Sequence, residues 1–398
     1  MNVQTKEPQA SEQIPDLGTD PIPAAPYYDP AYFELEREAV FRRSWLHVGH
    51  FCEIAQPGSY IVRAVEVVDA SILIVHGKDG KLRAFHNVCT HRGTQLVADE
   101  GGKAARFTCR YHAWTFGLDG GLQSAPDFEQ FYVEKAACSL PEVHVEVCAG
   151  LIFINLAEGP VQSLREYLGP LAEQLEASPV ARATTFGEYV YEIEANWKLA
   201  YDNFQENYHL RFIHSRSGAA AVGEENPFGY PTRYAFHGPH RTQTIWSNPG
   251  AVPTPVQAFA FGKAFESAAA DGFGQYPHAK DYFALFPNFF LFGSPTQHFS
   301  HTVMPVTERR SRGIFRFYWI GEDESASERF AREYCMVVGR DIHTEDRAVI
   351  EGGQRGLNSG ALKVIHFQAN EVLCRHLFHE VDSRVQAYKA SLEEGTKA

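Results

Sequence analysis

The chain has 398 residues, 44% of them hydrophobic and 13% aromatic, and carries a net charge of −13. That length suits two or three domains with a sizeable core, and an acidic balance without a basic run excludes nucleic acid as an expected partner. No stretch approaches 18 apolar residues and no signal-peptide core opens the chain, so neither a membrane span nor export is expected.

Residues 1–26 are polar and Pro-rich and read as a loose arm. Asp29-Pro30 opens a packing helix expected to reach about Arg43, with Asp29 as its N-cap. From Gly58 to about Leu156 short strands are expected at 60–67, 70–76, 82–87, 106–108, 114–117 and 151–155, with Lys78-Asp79-Gly80 and Asp119-Gly120-Gly121 as turns. This is a small all-β domain, and His76 and His86 on its strands read as ordinary structural or surface histidines.

Two loops in that domain carry chemistry. Cys89-Thr90-His91-Arg92-Gly93 is followed by Cys109-Arg110-Tyr111-His112, giving C-x-H, seventeen residues, then C-x-x-H. Two Cys and two His in paired loops suit either zinc or a [2Fe–2S] cluster with imidazoles on one iron. Each loop supplies one thiolate and one imidazole, so one iron can take both sulfurs and the other both rings. The remaining Cys52, Cys138, Cys148, Cys335 and Cys374 show no framework spacing, which fits a reducing, cytoplasmic compartment.

The rest of the chain reads as mixed α/β, with a helix over 164–177 and a strand over 185–195. From Asn196 to His214 runs N-W-K-L-A-Y-D-N-F-Q-E-N-Y-H-L-R-F-I-H, without Gly or Pro, so a helix is expected from Lys198 through Leu210. At about 100° per residue, Asp202, Glu206 and His209 fall within roughly 60° of one another, whereas His214 lies about 140° from His209. For both imidazoles to reach one metal the helix must end, bend or carry a π-bulge. The plain alternative is a polar helix face with two unrelated histidines.

Residues 216–280 show little periodicity and are expected to cap a pocket. Phe283, Phe286, Phe289, Phe290 and Phe292 follow in one run, as sheet core or as the wall of an apolar cavity. Further strands are expected at 301–306 and 314–320, then a long helix over 330–355. On residues alone Asp341, Glu345 and Asp346 are equal candidates for a carboxylate ligand. His376 and His379 read as surface histidines.

With Arg92-Gly93 after the first loop and Ala113-Trp114 after the second, the Cys/His pattern resembles the Rieske motif. The run Asn203-x-x-Glu206-x-Tyr208-His209, with His214 five residues on, resembles the second motif of the Rieske non-haem iron oxygenases, and the similarity extends over nearly the whole chain. The family is that of the large, terminal oxygenase (alpha) subunits of the aromatic-ring-hydroxylating dioxygenases. The resemblance implies an α+β fold. Residues 1–45 would be an arm and helix, 46–156 a Rieske [2Fe–2S] domain, and 157–398 a helix-grip (START/SRPBCC-like) catalytic domain with an antiparallel sheet.

It implies Cys89, His91, Cys109 and His112 as cluster ligands, and His209 and His214 on a mononuclear non-haem Fe(II). The segment E-D-R-A-V-I-E selects Asp346 as the third ligand and leaves Asp341 and Glu345 on a solvated face. Glu206 would link a cluster histidine of one subunit to an iron histidine of its neighbour, with Asn203 and Tyr208 in support. The implied partners are a ferredoxin or flavin reductase carrying electrons from NAD(P)H, a small-molecule substrate with O2, and copies of the chain in a homotrimer or a multiple of three, with or without a small beta subunit.

The implied activity is hydroxylation of an aromatic or apolar small molecule. One alternative is oxidative N- or O-demethylation, for example of a quaternary ammonium or aryl amine compound. Another is a non-catalytic Rieske electron carrier with a ligand-binding domain. Two departures stand out. The second loop reads C-R-Y-H-A-W where the family commonly has C-P-Y-H-G-W, and Glu206 stands where Asp is common, as in the branch that includes quaternary-ammonium demethylases.

Overall fold

The computed structural model describes residues 14–159, 161–215, 217–269, 281–293, 298–321 and 325–395. The chain divides into two compact units, Met1–Val40 with Leu168–Ala398, and Phe41–Tyr167. Near the N-terminus β1 (Ile22–Pro23) pairs antiparallel with Val364–Ile365. Asp29 caps α1 (Pro30–Glu36) by accepting the Ala31 N–H at 2.9 Å, and Pro30 presets the first helical φ. The helix expected to reach Arg43 instead passes into one π-helical turn over Arg37–Phe41.

In Phe41–Tyr167, strands β2 (Leu46–His50), β3 (Ser59–Val65), β4 (Ala70–His76), β5 (Leu82–His86), β6 (Gly101–Lys103), β10 (Glu142–Cys148) and β11 (Leu151–Asn155) form one sheet in the order β2-β11-β10-β5-β4-β3-β6. Strands β7 (Phe107–Thr108), β8 (Thr115–Phe116) and β9 (Leu122–Ser124) form a second. Every strand expected here is present, while β2, β6, β9 and β10 were not expected, β6 and β9 because each has at most one apolar side chain. Leu73, Phe85, Phe107, Trp114 and Phe116 pack one core that also encloses Cys89 and Cys109.

The helix expected over 164–177 is two, α2 (Leu164–Leu168), which runs to the end of the Phe41–Tyr167 unit, and α3 (Leu171–Glu176), which belongs to the other, interrupted at Gly169-Pro170, where Pro170 lacks the N–H a helix interior needs. The iron-motif region gives α4 (Trp197–Asp202) and α5 (Leu210–Ile213). The stretch 216–280 is less irregular than its composition suggests, since it contains β13 (Arg233–His237), β14 (His240–Thr244) and α6 (Pro255–Ala269). With β12 (Thr185–Ile193), β15 (Asp281–Leu285), β16 (Phe289–Gly293), β17 (His298–Thr307) and β18 (Arg310–Trp319), these strands form an antiparallel sheet in the order β12-β18-β17-β16-β15-β14-β13. The long helix α7 (Ala326–Leu357), opened by a Ser325–Glu328 capping box, crosses that sheet, and α8 (Val372–Gly395) follows it.

Strand pairing sorts the aromatic residues. Tyr282, Phe290 and Phe292 share one face, next to Phe299 and His301 on β17, Phe315 on β18 and Tyr189 and Tyr191 on β12. Phe283 and Phe289 point to the opposite face, because side chains alternate along a strand. Helix α7 lies on the first face. A Cβ at Gly339 would come within 2.6 Å of Phe317, and one at Gly313 within 2.0 Å of the Tyr191 ring, so both positions admit no side chain without displacing an aromatic.

Two further points differ from the sequence reading. His376 is not a surface histidine: it is 3% exposed, packs on Phe236 at 4.9 Å, and burial pushes its pKa down to about 3. Its neighbour His379 is exposed, with its Nε2 2.9 Å from the Leu17 carbonyl. Among the described residues no helix is long and apolar enough to cross a membrane.

Candidate metal centres

The two Cys/His loops are built alike. Gly93 N–H donates to the Cys89 carbonyl at 2.9 Å, and Ala113 N–H to the Cys109 carbonyl at 3.0 Å. Each turn closes on a residue in the left-handed region, Gly93 at φ 76° and Ala113 at φ 57°. A non-glycine residue is strained there by about 1 kcal/mol, so the departure at Ala113 has a conformational cost. Both cysteines are buried, and the rings of His91 and His112 lie 4.6 Å apart, with His91 stacked on Trp114 at 4.9 Å.

Burial pushes the Cys89 thiol pKa up, while the backbone N–H groups of His91 and Arg92 favour its thiolate. The buried Nδ1 of His91 finds no hydrogen-bond partner among the described residues. Two buried sulfurs and two adjacent imidazoles, one with an unused nitrogen, fit a cluster with thiolates on one iron and imidazoles on the other. Arg110 is exposed, and Arg92 reaches the exposed Tyr111 hydroxyl at 3.2 Å.

In the other unit the iron motif does not form the expected continuous helix. Helix α4 starts at an Asn196 cap, is anchored by the buried Glu36–Lys198 pair at 2.5 Å and the Trp197 indole N–H on Glu36 at 3.1 Å, and stops at Asp202. Breaking such a buried pair costs about 3–5 kcal/mol. Glu206 then supplies what the second helix needs at its start: its carboxylate accepts the backbone N–H of Tyr208 and of His209. His209 precedes α5 and His214 ends it with ψ 38°, outside the helical region. Of the routes open to a shared metal site, the chain takes that of ending the helix.

These breaks bring the two imidazoles together, with ring centroids 5.2 Å apart, and α7 supplies Asp346. Asp346 Oδ1 lies 2.8 Å from His214 Nε2 and 3.5 Å from His209 Nε2. Among the described residues these three are the group of His, Cys, Asp or Glu whose ligand atoms all fall within 4.8 Å of one another.

The outer nitrogens are both committed. His209 Nδ1 donates to Glu206 and His214 Nδ1 to Glu345 Oε2 at 2.7 Å. With the protons held at Nδ1, both Nε2 lone pairs face a buried carboxylate oxygen that finds no hydrogen-bond partner among the described residues. Three acceptors converging on one point need a cation. Burial opposes charge on His214, yet Asp346 and Glu345 outweigh it and raise its pKa. The arrangement fits a two-histidine, one-carboxylate metal site.

Of the supporting positions, Glu206 is in this cluster and the other two are not joined to it. Asn203 caps α4 and lines a groove with Leu199, Asp202, Glu206 and Cys374. Tyr208 is 45% exposed and stacks on Phe228 at 5.6 Å. Asp341 is solvated beside Arg340, as expected. Glu345 is not merely solvated: it holds His214 and accepts the Ser217 hydroxyl at 2.5 Å. Its position directly before Asp346 was the only sequence signal.

Sequence reading also missed His343 and His301. They sit in the aromatic face with Tyr191, whose hydroxyl meets His301 Nε2 at 2.7 Å and whose ring lies 3.9 Å from His343. Burial pushes the His343 pKa down to about 4 and that of His301 well below its usual value. His343 stands three residues before Asp346 on α7 and meets Tyr191, so this face adjoins the metal site.

A family model described as the ring hydroxylating alpha subunit (catalytic domain) matches residues 180–387, and a Rieske [2Fe-2S] domain model matches residues 44–143. The carnitine monooxygenase oxygenase subunit of Acinetobacter pittii (strain PHEA-2) is 31% identical over 344 residues, 85% of each chain. That of Escherichia coli (strain K12) is 33% identical over 344 residues, 85% of this chain and 84% of its own. Among solved structures, the quaternary ammonium Rieske monooxygenase in complex with L-carnitine superposes with TM-score 0.74 at 27% identity, covering 94% of this chain and 99% of that one. Naphthalene 1,2-dioxygenase from Rhodococcus sp. bound to indole gives TM-score 0.75 at 21% identity over 94% and 96%, a likeness of fold alone.

Proposed function

The chain belongs to the ring-hydroxylating oxygenase alpha-subunit family, and from that premise we propose that it hydroxylates a small molecule with an aromatic or apolar body. It is a Rieske oxygenase terminal component, an oxidoreductase that takes electrons from a donor protein and uses O2. Its cofactors are a Rieske [2Fe–2S] cluster and a mononuclear non-haem Fe(II), with NAD(P)H acting through a reductase. The electron-carrier alternative falls with this membership.

In our reading Cys89 and Cys109 hold one iron of the cluster, His91 and His112 the other, and His209, His214 and Asp346 hold the mononuclear iron. When bound, the cluster passes single electrons and the mononuclear iron activates dioxygen. Glu206 keeps the proton of His209 on Nδ1 and Glu345 does the same for His214, so both Nε2 atoms stay available and both rings stay oriented. The aromatic face excludes water beside Asp346 and orients the substrate by ring contact. We read the assembly as a homotrimer or a multiple of three, with or without a small beta subunit, in the cytoplasm. The groove at Asn203 and Glu206 would receive the cluster domain of a neighbouring copy. A structural relative of 26% identity and TM-score 0.76 is described in terms of inter-subunit electron transfer.

The observation that carries the substrate reading is the ring cluster of Phe204, Tyr282, Phe290 and Phe315 next to Asp346. A second reading, oxidative N-demethylation of a quaternary ammonium compound, draws on the relatives that act on carnitine and on Tyr189, Tyr191 and Tyr282, whose ring faces suit a cation. Oxygen uptake with aromatic acids, hydrocarbons and aryl amines against carnitine and glycine betaine separates them. Uptake with the amines alone, with formaldehyde released, would overturn the aromatic assignment.

A further inference from the structure

The metal-side face of the sheet holds three polar atoms that the described residues leave unsatisfied. Both ring nitrogens of His343 and Nδ1 of His301 are buried without a hydrogen-bond partner. His343 is 1% exposed and His301 is fully buried. Natural proteins rarely leave such groups unpaired, because each costs about 1–3 kcal/mol, and the exceptions need a reason.

Packing explains part of the arrangement. His301 stacks on Phe315 at 4.0 Å with the rings 2° from parallel, and Phe204 meets it edge-on at 4.3 Å. Tyr191 and Phe315 flank His343 at 3.9 and 5.3 Å. The two imidazole centroids are 6.1 Å apart, so one small group can reach both. His343 precedes Asp346 by three residues on α7, which sets it on the same side of the helix about 5–6 Å away.

We propose that His343 and His301 form a polar recognition pole in the otherwise aromatic substrate wall, and that the substrate bears an oxygen substituent that accepts hydrogen bonds there. This rests on reading the aromatic face as the substrate wall. A neutral imidazole with two bare nitrogens always presents one N–H donor, whichever tautomer it adopts. Tyr191 has an O–H to donate to His301 Nε2, and His301 then presents Nδ1–H as a second donor. The two rings lie 6.1 Å apart, so one small group can meet donors on both. A carboxylate or carbonyl oxygen on the substrate satisfies them, and a pure hydrocarbon or a head group carrying only positive charge does not. The pole also sets distance: the oxygen substituent lies about one helical turn from the metal-side carboxylate, so the oxidised carbon is near it in the same small molecule.

The test compares matched pairs in the holoenzyme under anaerobic conditions, by calorimetric binding: para-toluate against para-xylene, and γ-butyrobetaine against butyltrimethylammonium. Within the pair that supports oxygen uptake, the carboxylate member should bind about ten- to a hundredfold more tightly, since the partner leaves the donors unpaired. His343→Leu should shrink that preference to within about threefold, and His343→Asn, which keeps a donor, should retain part of it. Equal affinity within the pair, as an internal water on both imidazoles would give, overturns the proposal. So does a His343→Leu enzyme that weakens both members alike. Uptake without carboxylate preference sinks this inference alone. Neither binding nor uptake with any of the four compounds sinks the substrate-wall reading and the inference with it.

Discussion

Glu345 holds His214 in place across 131 residues of sequence, its Oε2 accepting the Nδ1 proton at 2.7 Å while Asp346, the next residue on α7, faces the same ring's Nε2 at 2.8 Å. Adjacent side chains of one helix therefore grip both ends of one imidazole. A carboxylate on the outer nitrogen fixes the tautomer and makes the inner nitrogen a better ligand.

Glu345→Gln should therefore lower retention of the mononuclear iron about 10- to 100-fold, since loss of such a partner typically has that effect. Iron content after dialysis against a chelator measures it, starting from about three irons per chain in the intact protein. Asp341→Asn, on the solvated side of the same helix, serves as the control and should retain iron normally. Equal iron loss in the two variants would remove Glu345 from the site.

Glu206→Gln should keep the cluster's visible spectrum and its iron, because we assign Glu206 as a ligand of neither centre. The amide oxygen can still cap the N–H groups of Tyr208 and His209, so α5 should persist. Turnover should nonetheless drop by about 10- to 100-fold, as the charge behind the His209 ring is lost. Normal turnover would mean that this carboxylate has no part in the reaction.

Ala113→Gly should stabilise the second cluster loop. The residue is exposed and sits at φ 57°, so a glycine loses no packing and relieves a strain of about 1 kcal/mol. The gain is partly offset by the larger entropy of the unfolded glycine, leaving about a few tenths of a kcal/mol. Loss of the cluster's visible absorbance during denaturant titration reports it. A lower midpoint in the variant would show that the Ala113 methyl contributes contacts that outweigh its strain.

Acid should destabilise the catalytic unit through its buried histidines. In the fold burial holds His376 down to about 3 and His298 to about 4, whereas an unfolded histidine titrates near 6.5. Below pH about 6.5 the unfolded chain binds protons that the fold refuses, so their stabilising contribution is complete above that pH and is lost as pH falls toward the folded values. Each such group accounts for up to about 1.4 kcal/mol per pH unit in that window. Chemical denaturation of the parent and of His376→Gln between pH 7.5 and 5 should give a shallower slope in the variant. Parallel slopes would mean that His376 protonates within the folded chain.

What the sequence by itself determined is what short-range geometry controls. The two Cys/His loops keep each Cys and His together because only one or two residues separate them, and Asp29-Pro30 starts a helix through contacts within its first turn. His209, His214 and Asp346 were legible as residue types in a family pattern, and the strands around Ala70–His76 and Leu151–Asn155 as apolar runs between turns. Tertiary structure decided the rest. The break after Asp202 depends on Glu206 folding back onto the next helix and on Asn207 bonding the Gly229 carbonyl at 2.9 Å, contacts that helical periodicity does not encode. Whether Phe290 or Phe289 faces α7 is a matter of strand parity, and a single-residue slip would exchange them. Glu345 looks like a surface acid and His343 like one more helical polar residue until the sheet and α7 close on them. Burial, which gives both their chemistry, is a property of distant chain segments meeting, and no local stretch of sequence carries it.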